Sequence, residues 1–148
     1  MAQAQPNFSS LLDAPSSSIE RPKPYPIGTY LGVVNGLPRI DKSSKKQTEF
    51  SEYTLNFLQA MDDVDPEALE EVGGIAGKSI KNTYYHTEAA VWRLKEFLDH
   101  LGAGDDSMTL RQRMQEVNGL QCYFTIRHEA SEDGTMIFAR VGSTAAAE

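Results

Sequence analysis

The sequence predicts a mainly β protein with helices, whose elements follow the order β-β-β-α-β-β and form a five-stranded barrel with a capping helix. Three observations predict this fold class. Five runs alternate apolar and polar residues, as strands with one buried face do. One run with helical spacing separates the third strand from the fourth, and an Asp-Gly pair connects the last two strands. With 148 residues, 40% of them hydrophobic, the chain is long enough to bury one domain core.

The first strand is predicted at residues 28–35. Its alternation places Leu31 and Val33 on one face, taken as the inner one, and Tyr30 on the other. Gly32, inside this strand, indicates a bend or a bulge of the kind that a small barrel needs.

The second and third strands are predicted at residues 48–60 and 78–86. The second strand has a strongly aromatic and aliphatic inner face, whereas Phe50 lies on its outer face. Between them lies an acidic insertion, residues 61–77, in which Pro66 marks the start of one short helix. We expect this insertion to be a solvated excursion from the barrel.

The strongest helical signal runs from Thr87, a good N-cap residue, to Gly102, a typical helix stop. The apolar residues that recur at the helical spacing between them are Ala90, Leu94, Phe97, Leu98 and Leu101. Of these, Leu94, Phe97 and Leu98 are expected to cap the barrel. A second, shorter helix is predicted over residues 107–117.

The fourth and fifth strands are predicted at residues 120–129 and 135–141, joined by a hairpin at Asp133-Gly134. Their inner faces complete a barrel core that consists of Leu31, Val33, Tyr53, Leu55, Phe57, Cys122, Phe124, Ile126, Ile137 and Val141.

The domain is predicted to span residues 27–142, between two tails. Residues 1–26 are rich in Ser, Ala and Pro and are expected to form a flexible, extended N-terminal arm, either a disordered leader or a segment that docks its apolar residues on the barrel or a partner. Residues 143–148 are expected to be a disordered tail.

The net charge of −7 is concentrated in one place. Residues 61–77 carry six carboxylates and no Lys or Arg, which leaves a balance of −1 for the rest of the chain. A basic groove elsewhere is therefore compatible with the acidic composition. The single cysteine, Cys122, lies in an apolar run, so a buried thiol and a reducing, cytoplasmic setting are expected, and no apolar run is long enough for a membrane span.

Signatures of enzymes, metals and cofactors are missing from the sequence. It contains neither a phosphate-binding Gly-x-x-x-x-Gly-Lys-Ser/Thr loop nor a nucleophile elbow. The three histidines and the one cysteine have no metal-ligand spacing. We therefore expect no catalytic residues, no metal and no cofactor.

A binding surface is the better-supported hypothesis. Single-stranded nucleic acids are bound by aromatic rings that stack on bases and by cations that follow the phosphates. The outward positions of the predicted strands, together with the flexible basic loop at residues 36–47, supply both kinds of side chain. The candidate nucleic-acid-binding residues are Tyr30, Lys42, Lys45, Lys46, Phe50, Lys81, Tyr84, Tyr123, Arg127, Phe138 and Arg140. A structural role is the alternative for each ring, because outer-face aromatics also pack beneath helices, arms or partner subunits.

The order of elements is that of the OB-type barrel. The chain resembles the small OB-fold single-stranded-DNA-binding proteins that phages encode beside recombination and replication genes. The resemblance rests on the opening Pro26-Ile-Gly-Thr-Tyr30, the aromatic second strand, the long helix before the fourth strand, and the ending from Asp133-Gly134 to Ala139-Arg140-Val141. It implies sequence-independent binding of single-stranded DNA, oligomerisation, and a location in the host cytoplasm. The acidic insertion and the lack of an acidic C-terminal cluster depart from the family pattern.

Three hypotheses about function follow. The favoured one is a non-enzymatic single-stranded-DNA-binding protein of a phage replication or recombination system. The alternative is a virion or assembly component whose N-terminal arm binds neighbouring subunits or other phage proteins, which would place it in the virion. An accessory factor that binds a host protein through the acidic insertion is a third reading.

Overall fold

The structure is a computed structural model that describes residues 12, 13, 15, 16 and 23–147. From residue 23 onward its elements are β1 (Gly28–Val34), β2 (Arg39–Lys42), β3 (Glu49–Ala60), α1 (Pro66–Glu71), β4 (Ser79–Tyr85), α2 (Val91–Leu101), α3 (Leu110–Met114), β5 (Gln121–Ala130) and β6 (Ile137–Ala146). The protein is mostly β with a few helices, as the sequence predicts.

The strands form one antiparallel sheet in the order β2-β3-β1-β5-β6, and β4 pairs with the remaining edge of β3. β1 and β2 follow one another along the same edge of β3. β4 and β6 lie side by side but share no hydrogen-bonded ladder. The predicted five-stranded barrel is therefore wrong in two respects, since the described sheet has six strands and is not closed.

The additional strand is β2, which lies within the predicted flexible basic loop. All four of its side chains are exposed, so no apolar alternation marks it in the sequence. Its stability comes from the ladder with β3 and from Arg39, whose Nε donates to Glu52 Oε1 across that ladder (3.3 Å).

The inner face of β1 is the opposite of the predicted one. Tyr30 is fully buried, whereas Leu31 and Val33 lie half-buried on the outer face. The hydroxyl group of Tyr30 donates to the Pro26 carbonyl oxygen (2.6 Å), so the buried ring leaves no unpaired polar atom at its tip. Both faces of this strand are apolar, and the alternation alone does not decide between them.

Aromatic rings fill the centre of the core. Tyr30 lies 5.2 Å from Phe57 and 5.9 Å from Phe124 between ring centroids. Gly32 makes room for this cluster, because a Cβ atom at this position would lie 2.6 Å from Phe124 Cε1. The pairing with β3 shifts between Leu31 and Gly32, and the residue left unpaired is Leu58 on β3, so the bulge lies in the partner strand opposite this glycine.

The rest of the predicted core is confirmed except at its last strand. Ile137, which follows the hairpin turn directly, is 49% exposed, and Val141 is only half-buried. β6 also continues to Ala146, so residues 143–146 are strand rather than disordered tail. The backbone of this segment pairs with β5, and its small side chains give little apolar alternation in the sequence. The buried members of the prediction are Tyr53, Leu55, Phe57, Cys122, Phe124 and Ile126.

The end of the predicted N-terminal arm is attached to the domain. The Tyr25 ring packs on Phe57 with 4.7 Å between centroids, and the Tyr25 carbonyl oxygen lies 2.7 Å from His128 Nε2. The apolar residues Phe8 and Leu11 fall outside the described residues, and Leu12 is 85% exposed.

Helix α2 caps the sheet as predicted, although it begins at Val91 rather than at Thr87. The Thr87 hydroxyl instead accepts the backbone N–H of Ala90 and caps the turn before the helix (3.2 Å). Gly102 ends the helix in the left-handed conformation (φ 74°). The residues that α2 buries are Leu94, Phe97, Leu98 and Leu101.

Helix α3 is shorter than the predicted 107–117 and begins with a capping box between Thr109 and Gln112. Its Arg113 is only 3% exposed. The guanidinium group donates to the Ala103 carbonyl oxygen (2.6 Å) and to Asp99 Oδ1 (2.8 Å). Arg113 therefore ties α3 to the C-terminal end of α2.

The acidic segment contains the predicted helix, α1, with Asp65 as its N-cap. It is more than a solvated excursion, however. Val64 is 5% exposed and packs so close to Gly28 that a Cβ there would lie 2.6 Å from Val64 Cγ2. Asp63 accepts both the backbone N–H and the hydroxyl of Thr29, each at 2.8 Å. The start of the segment is thus part of the folded body.

Replacing Leu98 with Ala should lower the free energy of unfolding by about 2–5 kcal/mol, because the fully buried side chain fills the space between α2 and the sheet. Leu37→Ala is the matched control: Leu37 is 59% exposed, and its loss should cost about 0.5 kcal/mol or less. Urea melts of both variants measure the difference. Equal losses would contradict the packing of α2 described above.

Replacing Asp63 with Asn should lower the free energy of unfolding at neutral pH but not in acid. The bonds from the Thr29 N–H and hydroxyl hold the pKa of the Asp63 carboxyl below its ordinary value. A lowered folded-state pKa stabilises the protein fully above the unfolded value of about 4, and this contribution disappears as the pH falls through the folded value.

Urea melts from neutral pH down to about pH 2.5 should therefore show wild type and Asp63→Asn converging below about pH 4. Asp62→Asn is the control, since no hydrogen-bond partner of the Asp62 side chain lies among the described residues. A pH-independent difference for Asp63→Asn would contradict this account.

Candidate nucleic-acid interface

A groove lies where β4 and β6 do not pair. The edges of these two strands form its walls, and the beginning of α2 lies between them; its volume is about 1050 Å³. The lining side chains with a charge or an aromatic ring are Glu52, Lys81, Tyr84, Tyr85, Trp92, Arg93, Glu96, Arg127, Glu129 and Arg140.

A second, smaller cavity of about 550 Å³ lies beneath the loop between β2 and β3. This loop is shaped by Ser43, whose backbone N–H donates to the Thr48 carbonyl oxygen (2.8 Å) and whose hydroxyl accepts the Thr48 N–H (3.1 Å). Lys45 and Lys46 lie at its exposed tip and line the cavity together with Tyr85.

Tyr85 belongs to both cavities and joins them into one path across the surface. It is the last residue of β4 and is 46% exposed. Its ring packs edge-on against Phe50, its cross-strand partner on β3 (5.8 Å between centroids). The guanidinium group of Arg39 lies 5.1 Å from the Phe50 ring, on the far side of β3 from β4. Tyr85 is therefore held in place while much of its ring stays accessible.

The joint surface is positively charged, in contrast to the chain as a whole. Six cationic side chains line the two cavities against three carboxylates, a balance of +3 in a protein of net charge −7. The cations are Lys45, Lys46, Lys81, Arg93, Arg127 and Arg140; the carboxylates are Glu52, Glu96 and Glu129. A polyanion would be attracted to this surface despite the acidic composition.

Trp92 is the aromatic residue of the groove that the strand-based prediction missed. It is 54% exposed in the first turn of α2, with the Arg93 guanidinium group 5.4 Å from its ring. An exposed tryptophan on the polar face of an otherwise amphipathic helix was the available signal, because core packing does not explain it.

The structure brings together most of the predicted binding residues that are cationic. Lys45, Lys46 and Lys81 line the cavities, as do Arg127 and Arg140. Lys42 is exposed on β2, and Phe50 lies next to Tyr85.

Four of the predicted aromatic residues lie elsewhere or are partly enclosed. Tyr30 is fully buried and is a core residue, which corrects the prediction for that position. Tyr84 lines the groove but is half-buried, with its ring 5.1 Å from Phe97. Burial is also the main reason that the pKa of Tyr84 is raised. Tyr123 is opposite Leu31 on the outer face of the sheet, away from both cavities, and Phe138 lies beneath the Arg140 guanidinium group (4.8 Å).

Three side chains where β3 begins and β4 ends lie in the order of a nucleophile, a base and an acid. His86 Nε2 lies 3.0 Å from Ser51 Oγ, and His86 Nδ1 lies 2.7 Å from Glu49 Oε1. Ser51 is fully buried, however, and lines neither cavity. The row therefore joins β3 to the residue after β4 without presenting its hydroxyl to a substrate.

Two further surveys concern the described residues alone. Within residues 23–147 and the few described before them, no three His, Cys, Asp or Glu side chains are grouped as metal ligands. None of the helices in that same part of the chain is long and apolar enough to cross a membrane.

Comparison with known proteins identifies no family. No family model and no curated protein matches the sequence. Among solved structures, the comparison finds a chain in the structure of yeast RPA bound to ssDNA, with 9% sequence identity and a TM-score of 0.34 over 100% of this chain and 91% of that chain. A TM-score this low does not establish a common fold.

Because Trp92 is the only tryptophan and is half-exposed, its fluorescence reports directly on the groove. Acrylamide should quench the native protein nearly as efficiently as the urea-unfolded chain. A native protein strongly protected from acrylamide would contradict the exposed position of Trp92. Trp92→Phe is the control and should abolish the signal.

Proposed function

We propose that this chain is a non-enzymatic, sequence-independent single-stranded-DNA-binding protein. The observation that carries the proposal is the continuous surface formed by the two cavities, which combines a positive balance with the accessible rings of Tyr85 and Trp92. Aromatic rings that stack on bases and cations that follow a backbone are the two requirements for binding single strands.

The arrangement favours a single strand over a duplex. Unpaired bases offer their faces to Tyr85 and Trp92, whereas a duplex hides those faces within its stack. Lys45 and Lys46 sit on an exposed loop beside the path, where they could contact phosphates on either side of a stacked base. None of these side chains requires a particular base, which supports sequence-independent binding.

The strand pairing supports an OB-like architecture for the domain. Taken as one interrupted strand, β1 and β2 reduce the sheet to five strands in the order β4-β3-β1-β5-β6. OB folds are partly open five-stranded barrels that bind oligonucleotides on the face of their second and third strands, between two hairpin loops. Here those strands are β3 and β4, and the loops are residues 43–48 and 131–136.

The resemblance to phage-encoded single-stranded-DNA-binding proteins extends the proposal to a phage replication or recombination system in the host cytoplasm. It also motivates the proposal of a homo-oligomer.

The alternative, an assembly component, is favoured by an apolar patch on the outer face of the sheet. Leu31 lies directly opposite Tyr123 in the β1–β5 ladder, and both are half-buried. Leu58, at the bulge of β3 next to Leu31, is 48% exposed. Such a patch fits a protein partner better than a nucleic acid.

Fluorescence anisotropy with labelled oligo-dT, and with a duplex of equal length, tests the proposal at about 50 mM and about 200 mM salt. Tyr85→Ala should weaken binding at both salt concentrations by about 1–3 kcal/mol, the contribution of one stacked base, and leave the salt dependence unchanged. Lys45→Ala should lower the slope of log K against log salt by about 0.7, because one phosphate contact is lost.

Lys95→Ala is the matched control for Lys45→Ala. The Lys95 side chain is paired with Asp99 (2.9 Å) and lines neither cavity, so its removal should leave the slope unchanged. If the wild-type protein does not bind oligo-dT at about micromolar concentration in about 50 mM salt, the single-strand proposal is wrong and the assembly alternative takes its place.

A further inference from the structure

Arg127 on β5 and Arg140 on β6 stand directly opposite each other in the hairpin ladder. Like charges at opposed ladder positions repel and destabilise the pairing. Both side chains are about half-exposed, and both line the groove between β4 and β6. An anion between the two guanidinium groups would relieve this repulsion.

Glu129 supplies that anion. Its Oε2 lies 3.3 Å from Arg127 Nη1, and its Oε1 lies 3.3 Å from Arg140 Nε. A single carboxylate thus faces one arginine with each of its oxygens. Arg140 is further positioned by the Phe138 ring beneath its guanidinium group (4.8 Å).

A phosphodiester has the same features as this carboxylate, namely one negative charge shared between two oxygens that can each accept hydrogen bonds from a guanidinium group. We propose that Arg127 and Arg140 form a phosphate subsite of the groove, and that Glu129 occupies this subsite in the free protein. Glu129 is then the residue that sets how tightly a nucleic-acid backbone binds. This inference rests on the proposed function.

The energetics allow such an exchange. Ion pairs between half-exposed side chains are weak, so an incoming phosphate can displace the Glu129 carboxylate. The displaced carboxylate stays attached nearby and repels the phosphate. Glu129 therefore weakens backbone binding and reduces the number of counterions that binding exchanges.

Glu129→Gln tests the inference, because it removes the charge and keeps the shape. We expect it to tighten oligo-dT binding about three- to tenfold in about 50 mM salt, the effect of one nearby unit charge in water. The slope of log K against log salt should become steeper by up to about 0.7. The tightening should disappear in an Arg127→Ala, Arg140→Ala background, where Glu129 has no subsite to occupy.

Glu132→Gln is the matched control. Glu132 is exposed in the same hairpin and contacts no cation among the described residues, so its removal changes the net charge equally without touching the subsite. Unchanged affinity of Glu129→Gln, or equal tightening by both variants, would overturn the inference while leaving the proposed function intact. Tighter binding by Glu129→Gln than by wild type, with Glu132→Gln unchanged, would support it. If no variant binds oligo-dT, the proposed function fails and the inference fails with it.

Discussion

The rest of the structure depends on which face of β1 points into the core, and Tyr30 determines that face. Its ring lies at the centre of the core, and its hydroxyl is paired with the Pro26 carbonyl oxygen. Burial, with a smaller contribution from the charge of Asp63, raises the pKa of Tyr30 to about 12. Turning this strand by one residue would expose Tyr30 and leave its partners without a ring to pack against.

The candidate interface inherits its shape from this central strand. β1 pairs with β3 on one side and with β5 on the other, and those strands carry β4 and β6 at the two ends of the sheet. The gap between β4 and β6 is therefore set by how far the two halves curve away from β1. Helix α2 packs between β4 and β6, with Phe97 against Tyr84. The helix closes the bottom of the gap, which therefore forms a groove.

The sequence was informative wherever one face of an element is polar and the other apolar. This holds for β3, β5 and α2, where the apolar residues predicted for the core are buried. It fails for β1, where both faces are apolar, and for β2, where both are exposed. The second half of β6 contains only small residues, so pairing rather than side-chain burial makes it a strand.

The candidate site likewise contains residues that the sequence pattern indicates and residues that only the structure brings there. Cationic residues at outward strand positions, such as Lys81 and Arg140, can be identified in the sequence, because a role in the core does not account for a charged side chain there. Trp92 lies on a helix and joins the groove only through tertiary packing. The position of Glu129 between two arginines depends on the strand register, which the sequence pattern does not specify to the residue.

The shared position of Tyr85 has a consequence for ligand length. Under the proposed function, a short oligomer would occupy one cavity or the other, and each alone would offer few contacts. A longer strand that passes over Tyr85 would enter the second cavity as an intramolecular event, at a high effective concentration set by its own tether. Affinity should then rise with chain length in a step rather than in proportion, and stop rising once both cavities are filled. The two cavities would thus make the affinity depend on the length of the polymer and not on its sequence.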